Sequence, residues 1–225
     1  MTGEGDHHGH RARLRARLIE GGPEALLEHE LLEYLLALAI PRRDTKPLAK
    51  ALLRRFGGYA ATVGASPAEL TEAGLTEGAA AALKIAEASA LRMLKAGAID
   101  RPVLASWSAL IDYLTADMAH RPIERVRLLL LNGKNMLIRD ELLSEGSVDQ
   151  APVYTREVIK RAIDHHASAM ILVHNHPSGD PSPSREDIQM TRAIAEAGKL
   201  LGITLHDHVV IGRNGHASFK ALGLL

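Results

Sequence analysis

The chain has 225 residues, long enough for one large domain or two small ones, and its 27 Lys+Arg balance its 27 Asp+Glu. That balance excludes a general electrostatic pull toward nucleic acid or an anionic membrane, and the lack of cysteine excludes disulfides and thiolate metal sites. Aromatic residues make up only 3% of the chain, so aliphatic side chains must supply the core. No apolar run has the length of a membrane span, and the Arg- and His-rich start has no signal-peptide core, so a soluble cytoplasmic protein is expected.

The first hundred residues read as helical. Leu26-Leu27, Leu31-Leu32, Tyr34-Leu35-Leu36 and Leu38 recur at helical spacing until Pro41. Leu48, Ala51-Leu52 and Phe56 form a second apolar face, closed by Gly57-Gly58. Ser66 caps a further helix with Pro67 at its first position. Ala79 to Ala96 has high helix propensity, and Gly97 is placed to end it. Ahead of these, His7, His8 and His10 lie in a Gly/Asp-rich start expected to be a mobile tail. Arg11, Arg13, Arg15 and Arg17 follow as a basic face, either merely solvated or a phosphate-binding patch.

After Ile99-Asp100-Arg101-Pro102, which reads as a linker, the character changes. One helix from Trp107 to Met118 precedes the first strand-like run, Val126 to Leu131, and Asn132-Gly133 reads as a hairpin turn into Met136 to Leu143. A helix from about Thr155 to His165 leads to the wholly apolar Ala169–Val173 ahead of His174, a buried strand. Ser184 to Leu201 is helical, and Thr204 to Ile211 and Ala217 to Lys220 are strands. The expected organisation is an all-α N-terminal domain at 1–98, a linker at 99–105 and an α/β domain at 106–225 with a mixed sheet flanked by helices.

The chemistry concentrates in His174-Asn175-His176-Pro177-Ser178-Gly179. Alternate strand residues share a face about 6.7 Å apart, so His174 and His176 can converge on one ion while Asn175 points away. Pro177 stops the strand, which places the pair at a strand end, where ligand sites in α/β folds open. Asp187 then offers a carboxylate, and two imidazoles with one carboxylate form a zinc-type set that leaves a fourth position open. The bland readings stand beside this one. A lone His-x-His is commonly a hydrogen-bonded structural pair, and Ser184-Arg185-Glu186-Asp187 matches a helix-capping box that claims the same carboxylate.

His174-x-His176 with Ser184-x-x-Asp187 resembles the metal signature of the JAB/MPN (JAMM) metalloprotease family. The string from His174 to Asp187 looks like its RadC branch. Val153-Tyr154-Thr155-Arg156-Glu157-Val158, Asp207-His208-Val209-Val210-Ile211-Gly212, Gly9-His10-Arg11 and Ile40 to Pro47 extend the resemblance over nearly the whole chain. The resemblance implies Zn2+ held by His174, His176 and Asp187, with water in the fourth place attacking an amide carbonyl. It implies Glu124, which opens the first strand, as general base, with Glu141 on the next strand as rival. Ser184 matches a family serine that helps hold the tetrahedral oxyanion.

Other features are less specific. His206 and His208 form a second His-x-His suited to a structural or supporting role, and Asp207 could orient a zinc-bound histidine. Residues 69–90 resemble a helix-hairpin-helix with Lys84 beyond its turn, a unit that offers backbone N–H groups to DNA phosphates. Related domains carry a Gly-x-Gly turn and a basic residue after it, where this chain has Thr76 and Ala79, so the hairpin is degenerate and any DNA contact weak. The readings are therefore a zinc metallopeptidase or isopeptidase-like hydrolase, or a DNA-repair-associated nucleic-acid-binding protein with a structural or vestigial metal site. The substrate is an unidentified peptide, protein conjugate or small amide, no membrane partner is expected, and oligomeric state is open.

Overall fold

The computed structural model describes residues 4–99, 102–146 and 153–225. The chain divides into two compact units after Ala90, inside a helix and ahead of the boundary at 98 read from the sequence. Among the described residues, no helix is long and apolar enough to cross a membrane.

The N-terminal unit is all helical: α1 (Glu4–Gly21), α2 (Glu28–Ala39), α3 (Lys46–Phe56), α4 (Tyr59–Gly64), α5 (Pro67–Glu72) and the first part of α6 (Glu77–Ile99). Its core joins Leu32 and Leu36 of α2, Ala49 and Leu52 of α3, Leu70 of α5 and Leu83 of α6. Local chemistry sets the helix ends. The Ser66 hydroxyl accepts from Glu69 N while the Glu69 carboxylate accepts from Ser66 N, a reciprocal capping box. Gly57 closes α3 in the left-handed region, at φ 86°.

Three expectations need correction here. The N-terminal stretch is not a tail: α1 begins at Glu4, and His10 lies 2.9 Å from the buried Glu33 carboxylate. Of the expected basic face, Arg13 and Arg15 are exposed, but Arg11 and Arg17 are engaged within the unit. Arg11 donates to the carbonyls of Ile40, Pro41 and Arg43, where α2 has ended, and Arg17 pairs with Glu30 at 2.8 Å. Arg11 thereby supplies a donor to the Ile40 carbonyl at the C-cap of α2 and to two carbonyls of the turn beyond it. Gly97 does not end α6, which runs on to Ile99 because Leu91 and Ala98 pack into the core of the second unit. The hairpin-like segment does form, as α5, a turn through Gly74 at φ 95°, and α6. Lys84, however, turns inward, donating to the carbonyls of Val63 (3.0 Å) and Ala65 (2.9 Å) and pairing with Glu87.

The second unit is a mixed five-stranded sheet with helices on both faces. Its elements are α7 (Trp107–Met118), β1 (Glu124–Leu131), β2 (Leu137–Gly146), α8 (Thr155–Asp164), β3 (Ala169–Asn175), α9 (Arg185–Leu200), β4 (Thr204–Gly212) and β5 (Gly215–Ser218). Of the expected linker, residues 100 and 101 lie outside the described residues, and Val103–Ser106 forms a 3-10 turn that buries Val103 and Ser106. Strand order is β2-β1-β3-β4-β5, with β3 and β4 parallel and every other neighbouring pair antiparallel. The β1–β2 hairpin is longer than the two-residue turn expected: Asn132 N bonds Met136 O, and the Asn132 side chain accepts from Lys134 N and Met136 N.

Alternation along the strands divides the core. Leu129, Leu131, Ile171, Val173, Val209 and Ile211 pack on α7 residues Leu110, Leu114 and Met118. Leu128, Leu130, Met170, Leu172 and Leu205 pack on Val158 and Ile159 of α8 and Ile194 of α9. One buried charged group interrupts the α7 face. Asp140 of β2 accepts from Arg127 Nη2 (2.6 Å), Lys95 (2.9 Å) and the Tyr113 hydroxyl (2.9 Å), and Arg127 also pairs with Asp117. Burial alone would raise the Asp140 carboxyl, yet these cations hold it below its ordinary value. Replacing Asp140 with Ala leaves the buried Arg127 with Asp117 as its carboxylate partner and removes the partner of the part-exposed Lys95, and should cost about 1.5–3 kcal/mol, read as a lower urea midpoint.

Candidate metal centre

Strand alternation and register assemble the centre. Val126 of β1 lies opposite His174, and directly paired residues share a face, so Glu124, Val126, His174 and His176 all turn toward the α8/α9 side. Asn175, between the histidines, turns to the other side and is fully buried. The apolar strand delivers His174 into the interior, and Pro177 and the turn after it leave His176 half-exposed. His176 N still bonds Ile211 O at 2.9 Å, so the strand geometry carries one residue past its assigned end.

Asp187 arrives from the first turn of α9, and the two readings of its carboxylate prove compatible. Oδ2 accepts from Ser184 N (2.8 Å) and from the Ser184 hydroxyl (2.6 Å), while Ser184 Oγ accepts from Asp187 N (3.0 Å): the capping box is present. Oδ1 meanwhile lies 3.5 Å from His174 Nε2, and Oδ2 lies 3.7 Å from His176 Nε2. His174 Nε2 and His176 Nε2 are 2.9 Å apart, and one ligand atom from each of the three residues falls within 4.8 Å of the others. Ligands placed tetrahedrally at about 2.0 Å from one ion are roughly 3.3 Å from each other, so the trio could hold a metal ion.

Hydrogen-bond direction gives a sharper test of fit. A carbonyl oxygen can only accept. The Thr191 hydroxyl donates its one proton to Asp187 O (2.6 Å), so its contact with His208 Nδ1 (2.6 Å) requires Nδ1 to be the donor. Burial keeps His208 neutral, its pKa pushed well below the ordinary histidine value, so Nε2 accepts from His174 Nδ1 at 2.8 Å. Burial likewise pushes His174 down to about 4. Its proton therefore sits on Nδ1, and Nε2 presents a bare lone pair. On the other histidine, Nδ1 donates to Asp180 O at 2.8 Å, which leaves His176 Nε2 equally bare when neutral. Two lone pairs facing each other at 2.9 Å beside a carboxylate repel unless a positive charge joins them. A proton relieves this in part, and His176 is raised by the Asp187 carboxylate beside it. A divalent cation would satisfy all three ligands. Burial opposes the charge on Asp187, yet His176, His174 and the Ser184 donors hold its carboxyl well below the usual range.

The other expected residues separate clearly. Glu124 is half-buried, and burial raises its carboxyl, with His176 acting against the shift and Asp187 with it. Those two couplings bring it into the electrostatics of the centre. Glu141 pairs instead with Arg161 (3.0 Å) and His165 (2.8 Å). Asp207 does not orient a ligand: it accepts from His208 N (2.8 Å), Lys220 N (3.0 Å) and the Ser218 hydroxyl, tying β4 to the chain after β5. The ligand's neighbour is His208, set opposite Leu172 by the parallel register and stacked on Phe219 at 4.5 Å. His206 bonds Asn135 at 2.7 Å, away from the trio. Thr191 and the Asp180 carbonyl carry no sequence signal of their own. The pointers to His208 were its place in a second His-x-His and in the family-like segment Asp207 to Gly212.

Gly212 guards the loop that carries Asp180. A Cβ there would lie 2.4 Å from Gly179 O, and Arg213 reaches across to Ser178 O at 3.0 Å.

Two outcomes follow from this geometry. Replacing His208 with Phe keeps the stack on Phe219 but removes the acceptor for His174, and should weaken metal binding about 10–100-fold by calorimetric titration. In chelator, acidification should destabilise the protein. A histidine held neutral, with a folded pKa below the unfolded value, contributes stability above about 6.5 that is lost as pH falls toward 4. The raised His176 contributes constantly below about 6.5, so His174 alone should remove on the order of 2 kcal/mol between pH 6.5 and 5, read from urea midpoints.

Residues 104–224 match the family described as the RadC-like JAB domain. A UPF0758 protein of Rhodobacter capsulatus is 53% identical over 213 residues, which span 94% of this chain and all of that one. A UPF0758 protein of Ruegeria pomeroyi is 51% identical over 217 residues, 96% of this chain and 97% of the relative.

Proposed function

The chain belongs to the RadC family of JAB domains, and on that footing we propose that it is a zinc-dependent hydrolase of amide bonds, in the manner of a metallopeptidase or isopeptidase. The observation that carries this reading is the pair of imidazole Nε2 atoms, 2.9 Å apart, each with its Nδ1 proton committed to an acceptor and with the Asp187 carboxylate beside them. His174, His176 and Asp187 would hold the ion, and the N/O donor set without thiolate suits a hydrolytic zinc site. Bound zinc supplies Lewis acidity and brings the pKa of water from about 15.7 to near 7.

Glu124 takes and returns the proton. Burial raises its carboxyl, which brings its affinity for a proton closer to what transfer at neutral pH requires, and the charges of His176 and Asp187 act on it directly. It removes a proton from the attacking water at its carboxylate oxygen and hands one to the departing amine. Ser184 has two duties: it caps α9 and so aims Asp187, and it redirects its hydroxyl from Asp187 Oδ2 toward the developing oxyanion. A donor of that kind contributes about 3 kcal/mol to the transition state.

Contact with DNA through the N-terminal unit gains no support from Lys84, Arg11 and Arg17, which are bonded within the unit.

Purified protein should contain about one zinc per chain, measured by elemental analysis, and should cleave members of a peptide library. Glu124→Gln should retain the zinc and lose at least about 100-fold in kcat. Asp187→Ala and the His174→Ala/His176→Ala pair should lose both. Full zinc occupancy in that histidine double variant would overturn the reading.

A further inference from the structure

Asn175 occupies the middle of His174-x-His176, a position the metal leaves unspecified, and it is fully buried on the face opposite the ligands. Its side chain has three bonds, all to the backbone around Glu124. Oδ1 accepts from Arg125 N at 2.9 Å; Nδ2 donates to Ile123 O at 3.2 Å and, at the limit of bonding, to Arg121 O at 3.5 Å.

The place of these bonds gives them meaning. The β1–β3 ladder ends with Val126 opposite His174, so Glu124 lies beyond the last paired residue on that side. On its other side the strand start is paired with β2, Glu124 with Gly146 and Arg125 with Glu145, but a register shift between Val126 and Arg127 sets this short stretch off from the rest of that ladder. The polar groups that this strand end turns toward β3 have no ladder partner there and need another one. The Asn175 amide takes the two that flank Glu124: the carbonyl before it and the N–H after it. A carboxamide carries its acceptor and its donor on separate atoms of one planar group, so it can replace two ladder bonds at once. The same strand residue that separates the two metal-binding imidazoles thus fixes the peptide units on each side of the carboxylate that faces them.

We infer that Asn175 is the positioning residue for Glu124, clamping the start of β1 so that the carboxylate stays at the metal centre while Asn175 itself touches neither metal nor substrate. The inference rests on the hydrolase reading for its kinetic consequence alone; the clamp is a property of the protein without metal.

The test uses the full chain carrying Asn175→Ala, with Asn175→Ser as a second variant that keeps a polar group in the same space should the first fail to fold. In metal-free protein, exchange of the Arg125 amide should accelerate about 10-fold or more while the Leu128–Leu131 amides keep their protection. Zinc affinity should stay within about 3-fold of wild type. The kcat should fall about 10–100-fold with KM within about 2-fold, and in a Glu124→Gln background the same change should alter kcat by less than about 2-fold, because a residue acting through Glu124 has nothing left to act on. Unchanged Arg125 exchange overturns the inference. So does an equal loss of kcat in both backgrounds, or a loss of zinc binding as large as that of His176→Ala, which would make Asn175 a support for the ligands instead. If the wild type cleaves nothing, the hydrolase reading fails, and the exchange measurement still decides whether Asn175 holds the strand.

Discussion

Two imidazole nitrogens with lone pairs aimed at each other form an arrangement that a folded protein does not keep without a reason. Here the arrangement is enforced from outside the pair. Asp180 O fixes one proton, and the relay from Asp187 O through Thr191 and His208 fixes the other. Both acceptors at the ends are main-chain carbonyls, whose role cannot invert, so neither histidine can change tautomer to escape. The fold therefore spends hydrogen bonds on holding a repulsive pair, which makes sense where a cation completes it. The relay also begins on Asp187, the carboxylate of the candidate metal trio, so that carboxylate and the buried imidazole are set by the same turn of α9.

Everything else in the second unit serves to bring those groups to one face. Sheet order places β3 between β1 and β4, and pairing then decides the rest: antiparallel register sets Val126 beside His174, and parallel register sets His208 beside Leu172. A one-residue slip in either ladder would send the carboxylate or the supporting imidazole to the α7 side. The apolar residues of β3, buried along its entire length, make such slips costly. Core packing and site geometry are here the same constraint, because the strand that fills the centre of the sheet is the strand that ends in the ligands.

What was legible in the sequence is what depends on local pattern. His174-x-His176 at the end of an apolar strand, Ser184 capping a helix over Asp187, and the change from helical to strand periodicity after residue 100 all lie within short windows. The family resemblance pointed to Glu124, with Glu141 as rival; Glu124 couples to His176 and Asp187, and Glu141 pairs with Arg161 and His165. What stayed hidden depends on contacts distant in sequence. Nothing local reveals that Thr191 bonds His208, that Lys84 turns inward to carbonyls of Val63 and Ala65, or that α6 passes through Gly97 because Ala98 has a core to enter. Asp187 is instructive in another way. One carboxylate was asked to be either a cap or a ligand, and its two oxygens let it serve as a cap while facing both histidines.

Gly212 extends the centre beyond the residues with recognisable chemistry. It lies on β4 and has no side chain of its own, and the main chain of Gly179 passes so close that a methyl group has no room. The neighbouring Asp180 carbonyl is what anchors His176. Any side chain at 212 would act as a wedge under that carbonyl, and the imidazole would be free to turn. The space left empty at Gly212 is thus as much a part of the ligand geometry as any atom that fills the centre.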